Sequence, residues 1–269
     1  MGLVLDRLSL LKKIFFCVTF STSAHALYFG NPSAPEMPED GFFISPECWI
    51  GVKTGYQGDY VLSRSMLVRS SGTEATHTIS SFSSQYNAGS VALDFGNRWD
   101  IYGSIGAYKL GLSQRVSSDT SIHFTSENQL GGLLGIRTVA ACWGEIQLGF
   151  DAKAFYSHPN LDCITVNGNK ISTKGYVSDR QWQLGCGLSR RVSWFVPYIG
   201  FTYSHDRTKF GNLKTLATYF PNNTLRLINK YSFGFAIGFG VGLQKDFSCN
   251  VEARIVEETG IGCSADFRF

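Results

Sequence analysis

Residues 231–269 read YSFGFAIGFGVGLQKDFSCNVEARIVEETGIGCSADFRF. In the first run Phe233, Phe235, Ile237, Phe239, Val241 and Leu243 alternate with Gly234, Ala236, Gly238, Gly240 and Gly242. Successive side chains of a strand point to opposite faces, so strict period two marks a strand with two unlike faces. Lys245 and Asp246 make a tight turn. The second run sets Phe247, Cys249, Val251, Ala253 and Ile255 against Ser248, Asn250, Glu252 and Arg254. After Glu258, Thr259 and Gly260, a third run places Ile261, Cys263, Ala265, Phe267 and Phe269 opposite Gly262, Ser264, Asp266 and Arg268. A flat apolar face on a terminal strand is an aggregation hazard in a soluble domain. A barrel wall facing lipid uses such a face.

Composition agrees. Charged residues are 17%, below the usual quarter of a soluble protein, while aromatics reach 14% and glycines number 29. No apolar run is long enough for a membrane-spanning helix. The net charge of +3 comes without a basic stripe, which excludes a nucleic-acid partner.

The remaining chain repeats the pattern. Strands are expected from about residue 49 to 67, ending at Phe95, from 98 to 112, 129 to 140, 143 to 156, 181 to 189 and 194 to 205, before the three C-terminal runs. Tight turns alternate with polar loops at 70–76, 113–128, 158–174 and 206–230. The expected fold is all-β: a closed antiparallel transmembrane β-barrel of about ten strands, even in number (10–12), with both termini in the periplasm of a bacterial outer membrane. Several runs exceed ten residues, the length of a tilted strand crossing a bilayer. Phe95, Trp99, Trp143, Trp194, Phe247 and Phe269 flank tight turns, and Tyr56, Tyr60, Tyr108, Tyr156, Tyr203 and Tyr231 lie toward the long loops, as two interfacial girdles require.

The N-terminus reads as a signal peptide over residues 1–26. Arg7, Lys12 and Lys13 precede a short apolar core, and Ala24-His25-Ala26 is an A-x-A site with cleavage between Ala26 and Leu27. Residues 27–47, rich in proline, are expected to be an irregular periplasmic lead-in, and 48–269 the barrel. Six cysteines remain after cleavage, an even number that fits an oxidising compartment. Cys48, Cys142 and Cys249 fall near the turn end and Cys163 in an outer loop; these four are the disulfide candidates. Cys186 and Cys263 fall on the lipid side.

Several blocks resemble the chlamydial major outer membrane protein family. They are Leu27-Tyr28-Phe29-Gly30-Asn31-Pro32, Gly55-Tyr56-Gln57-Gly58-Asp59-Tyr60-Val61, Asn87-Ala88-Gly89 with Asn97-Arg98-Trp99-Asp100, Val196-Pro197-Tyr198-Ile199-Gly200, Val251-Glu252-Ala253-Arg254 and Phe267-Arg268-Phe269. The resemblance implies an outer-membrane porin, a homotrimer, and disulfide partners among cysteine-rich envelope proteins. This chain is shorter than the main members of that family, lacks their long variable loops, and keeps only Cys48 of the cysteine-rich stretch near the first strand.

By alternation Lys53, Asp59, Asp94, Arg137, Asp151, Lys153, Glu252, Arg254, Asp266 and Arg268 point inward. Charged walls suit a water-filled lumen, and these residues are the pore-lining candidates. Barrels of about eight strands can instead be filled by their own side chains. The Gly234–Gly242 face leaves room for an inward-folded segment or a solvent path, or serves only to bend the wall. Phe267 and Phe269 are the expected insertion signal. No catalytic group, metal site or cofactor is expected. Function is therefore expected to be passive diffusion of ions and small hydrophilic solutes, with a structural envelope role; the alternative is a non-conducting structural or surface-interaction barrel.

Overall fold

The computed structural model describes residues 27–37, 49–70, 78–172, 174–244 and 246–269. Its strands, in chain order, are β1 (Ile50–Arg64), β2 (Met66–Ser70), β3 (Thr78–Phe95), β4 (Trp99–Arg115), β5 (Ser121–Ser126), β6 (Gln129–Trp143), β7 (Ile146–Ser157), β8 (Leu161–Val166), β9 (Asn169–Ile171), β10 (Tyr176–Arg190), β11 (Phe195–Gly211), β12 (Thr224–Asn229), β13 (Phe233–Gln244), β14 (Phe247–Ile255) and β15 (Glu258–Arg268). Ten of them form a ring in the order β3-β1-β15-β14-β13-β11-β10-β7-β6-β4, and pairing of β3 with β4 closes it. Every pairing in the ring is antiparallel. The closed ten-stranded barrel expected from the alternation is therefore observed. Closure leaves no unpaired strand edge, the condition for a sheet to cross lipid.

Local chemistry sets the turns. Gly96 and Asn97 both adopt positive φ (59° and 55°), the left-handed pair that turns the chain within the three-residue connection between β3 and β4. The β6–β7 turn lies at Gly144 and Glu145 rather than at Ala141 and Cys142, because Gly144 takes φ +61° and pairing runs on to Trp143 opposite Ile146. At the opposite end the β14–β15 link is just Val256 and Glu257. Val256 sits at φ +83°, a strained conformation for a β-branched residue that costs about 1–3 kcal/mol. Both Glu257 and Glu258 are buried behind it.

The outward face is apolar, with Ile101, Ile105, Leu134, Phe150, Leu184, Phe201, Phe235 and Ile237 all exposed. Around the turn end stand Trp49, Trp99, Trp143 and Trp194. Tyr108 does not join the outer girdle. It falls on the even-numbered, inward side of β4 and donates its hydroxyl hydrogen to Asp179.

The loop end departs from the sequence expectation of polar loops. There β5, β8 and β9 continue the sheet beyond β4, and β12 and β2 continue it beyond β11. Their inner faces enclose Phe82, Leu112, Ile122, Phe124, Ile164, Phe210, Phe220 and Leu225, all almost fully buried. The Phe124 ring lies 5.1 Å from Phe210 and 6.2 Å from Phe220. Pairs such as Ile122/Phe124 and Leu225/Leu227 have strand spacing, but polar neighbours dilute them in the sequence. The loops thus form a cap with an apolar core.

Candidate functional site

The site that these elements build is the lumen. Residues 27–37 were expected in the periplasm as an irregular lead-in. Instead they lie inside the barrel and are almost wholly buried. Residues 38–47, the rest of that lead-in, lie outside the described residues. The segment touches the inward side chains of β1, β6, β7, β10, β14 and β15, so it is surrounded on all sides.

Its backbone is held by the wall charges. The N–H of Tyr28 donates to Asp59, that of Phe29 to Glu252 Oε1 at 2.7 Å, and that of Gly30 to Glu252 Oε2 at 2.9 Å. Lys153 donates to the carbonyls of Tyr28 and Phe29, the latter at 3.2 Å. Lys53 donates to the carbonyls of Ala34 and Pro35, both at 2.9 Å. Buried peptide groups must find partners, and bonds to ionised groups are the stronger kind. Side chains extend the attachment: Tyr28 bonds Ser264, Asn31 donates to Asn250 at 3.1 Å, Ser33 meets Ser189, and Gln147 donates to Glu36.

Glycines on the wall make the room. A Cβ added at Gly200 would lie 2.3 Å from the Phe29 ring, at Gly185 2.4 Å from it, at Gly262 2.3 Å from Tyr28, and at Gly149 2.7 Å from the Pro32 carbonyl oxygen. On β13, Gly240 faces Asn31 and Gly238 faces the Tyr198 ring. The glycine face of that strand is thus occupied by an inward-folded segment and a tyrosine. Beside the segment, among Tyr28, Lys53, Arg137 and Asp266, remains a space of about 40 Å³, room for little more than a water molecule.

The charges also pair with one another in three groups. Near the turn end Lys53 lies 3.1 Å from Asp100 and 3.6 Å from Asp94, and Arg268 lies 3.2 Å from Asp94. Deeper in, Asp151 joins Arg137 at 3.2 Å and Lys153 at 2.8 Å. Toward the cap, Arg254 bridges Asp59, Glu252 (2.8 Å) and Glu258 (3.0 Å), and Arg64 bridges Glu258 (2.7 Å) and Asp206.

All ten charged positions expected to face inward do so, and nine of them hold the segment or one another rather than border open water; Asp266 faces the small remaining space. Asp266 accepts from Ser264 at 3.3 Å. Arg64, Asp100, Asp206, Glu257 and Glu258 are lumenal residues that sequence reading missed. Asp100 has the right parity and was legible. Asp206 lies just past the expected end of its strand. Arg64 is inverted by an irregularity between Val61 and Ser63 in the β1–β15 register, which turns an outward parity inward.

Cys48 and Ala26 lie outside the described residues. Cys142, Cys163, Cys186, Cys249 and Cys263 form no disulfide with one another; Cys142 is exposed beside the β6–β7 turn. Cys163 lies within β8 rather than in a loop. Leu27 is buried against the cap core. Phe267 and Phe269 both face outward, and Phe267 packs on Phe247 at 4.5 Å.

No family model matches the chain. Among curated proteins it is similar to the major outer membrane porin of Chlamydia psittaci, at 22% identity over 95% of this chain and 98% of the relative. It is 23% identical to a major outer membrane porin of Chlamydia pneumoniae, over 97% of this chain and 99% of the relative. Among solved structures, the outer membrane protein OprG from Pseudomonas aeruginosa aligns over 82% of this chain and 95% of its own at 7% identity, with a TM-score of 0.38, too low to carry an argument. The sequence similarities support a distant relationship between this chain and the major outer membrane porins of Chlamydia.

Proposed function

We propose that this chain is an outer-membrane barrel that stands closed at rest, with its turn end in the periplasm and its capped end toward the exterior, serving as a structural and surface-presenting protein. The observation that carries this is the burial of residues 27–37 in the lumen, bonded to Asp59, Glu252, Lys153 and Lys53. The apolar cap core supports it, because an apolar layer across one mouth opposes ion passage independently of the segment. Cleavage after Ala26 fits the same reading, since it makes Leu27 the first residue and lets the segment enter unencumbered.

A second reading, passive diffusion of ions and small hydrophilic solutes, is favoured by the relatives, which are named as porins. It requires both the segment and the cap to move. Planar-bilayer recording of the folded chain beginning at Leu27 separates the two. The expected result is no stable conductance step; regular steps from that chain would overturn the closed reading in favour of the porin. A form lacking residues 27–37 identifies the seal: steps from it assign closure to the segment, and silence assigns it to the cap. A cross-linking role would rest on Cys142 and Cys48, and native envelopes run without reductant should then show disulfide-linked species.

A further inference from the structure

One flank of the barrel carries a charge pattern that neither the closed lumen nor the apolar wall uses. Going from the turn end toward the cap, the outward side chains of β10 run Leu188, Cys186, Leu184, Trp182, Arg180, and those of β11 run Ile199, Phe201, Tyr203, His205, Arg207, Lys209. The Trp182 and Tyr203 rings lie 5.5 Å apart. Such rings mark the membrane–water interface. Arg180 stands two residues, about 7 Å, beyond Trp182, and Arg207 lies at the same level opposite it, so this pair stands just above that interface, at headgroup height, with Lys209 one step further out.

Their arrangement is costly in isolation. Arg180 is directly opposite Arg207 across β10 and β11, and Lys209 is directly opposite Arg226 across β11 and β12. Like charges facing each other on neighbouring strands destabilise a sheet. Arg69 on β2 adds a fifth cation to the same cleft, which measures about 620 Å³ and, among the described residues, is bordered by no carboxylate. Two of the guanidinium groups are already oriented. Arg180 sits 5.5 Å from the Tyr156 ring centroid, and Arg207 donates to His205 at 3.0 Å.

The geometry points to a lateral binding site for the phosphate groups of an anionic glycolipid of the outer leaflet, with its acyl chains against Trp182, Tyr203 and Phe201. The cations face sideways, beside the apolar wall and above its aromatic belt. A lipid presents phosphate and hydrocarbon together at that place, and basic clusters beside a membrane attract anionic headgroups. The inference rests on the outer-membrane placement proposed above.

The test is native mass spectrometry of the folded protein in non-ionic detergent, titrated with bis-phosphorylated lipid A and with lipid A stripped of both phosphates. Inorganic phosphate and a sulfated polysaccharide are run alongside. Wild-type protein should retain the phosphorylated lipid about tenfold or more better than the stripped one. The variant carrying Arg180→Gln, Arg207→Gln and Arg226→Gln should lose that preference, and Arg207→Gln alone should weaken it. Lys109→Gln, exposed on β4, should keep it. Equal retention by wild type and triple variant overturns the inference, as does capture of the polysaccharide or free phosphate without the lipid. Vesicle insertion separates the two levels: inserted protein without lipid preference sinks only this site, whereas protein that does not insert sinks the membrane reading beneath it.

Discussion

At Glu252 one carboxylate accepts from the N–H groups of Phe29 and Gly30, the Tyr198 hydroxyl at 3.1 Å, and Arg254 at 2.8 Å. Truncation leaves two backbone donors without partners and a buried guanidinium with one fewer counter-ion. Glu252→Ala should therefore cost about 3–5 kcal/mol, the usual penalty for breaking a buried charged cluster. The check is the urea midpoint of the folded-to-unfolded band shift. Gly200 makes the complementary case. Leucine there cannot coexist with Phe29, and overpacking costs about 1–3 kcal/mol. In Gly200→Leu the segment should leave the lumen. A glutamate-specific protease should then cut after Glu36 in the variant and spare the wild type, read by intact mass. Glu252 could be assigned to the inward face from its parity. Its four partners could not, because three of them lie more than fifty residues away in sequence.

At the scale of elements, the ten barrel strands announce themselves because every second side chain meets lipid, and lipid demands an apolar residue at each such position. The cap strands do not. In β5 and β12 only three of six side chains are buried in each, and their polar partners read as loop. Phe124→Ala should remove about 3–5 kcal/mol from the cap core. Limited proteolysis should then cut within residues 113–128 while the heat-dependent gel shift of the barrel persists. Loss of both together would show instead that cap and barrel fold as one unit. The irregularity in β1 has a similar lesson: one slip of register carries Arg64 from the lipid side into the Glu258–Asp206 cluster.

For the whole molecule, closure comes from buried ion pairs below and apolar packing above. Both are shielded from bulk salt, whose screening acts chiefly on exposed charges. Raising salt from about 0.1 to 1 M should therefore leave barrel stability within about 1 kcal/mol, whereas lipid retention at the exposed arginines of β10, β11 and β12 should fall sharply. A large salt-dependent loss of stability would mean that the lumenal pairs are hydrated and the interior open. The sequence by itself determined the closed barrel of about ten strands, the inward direction of its ten expected charged side chains and the position of most tight turns, because period two and turn chemistry are local properties; it did not determine the direction of Arg64, which a register slip inverts. Only the tertiary structure decided what fills the lumen. A proline-rich segment without periodicity carries no local sign of its destination, and residues 27–37 are ordered by carboxylates, lysines and glycines that the closed ring brings around them from strands scattered along the chain.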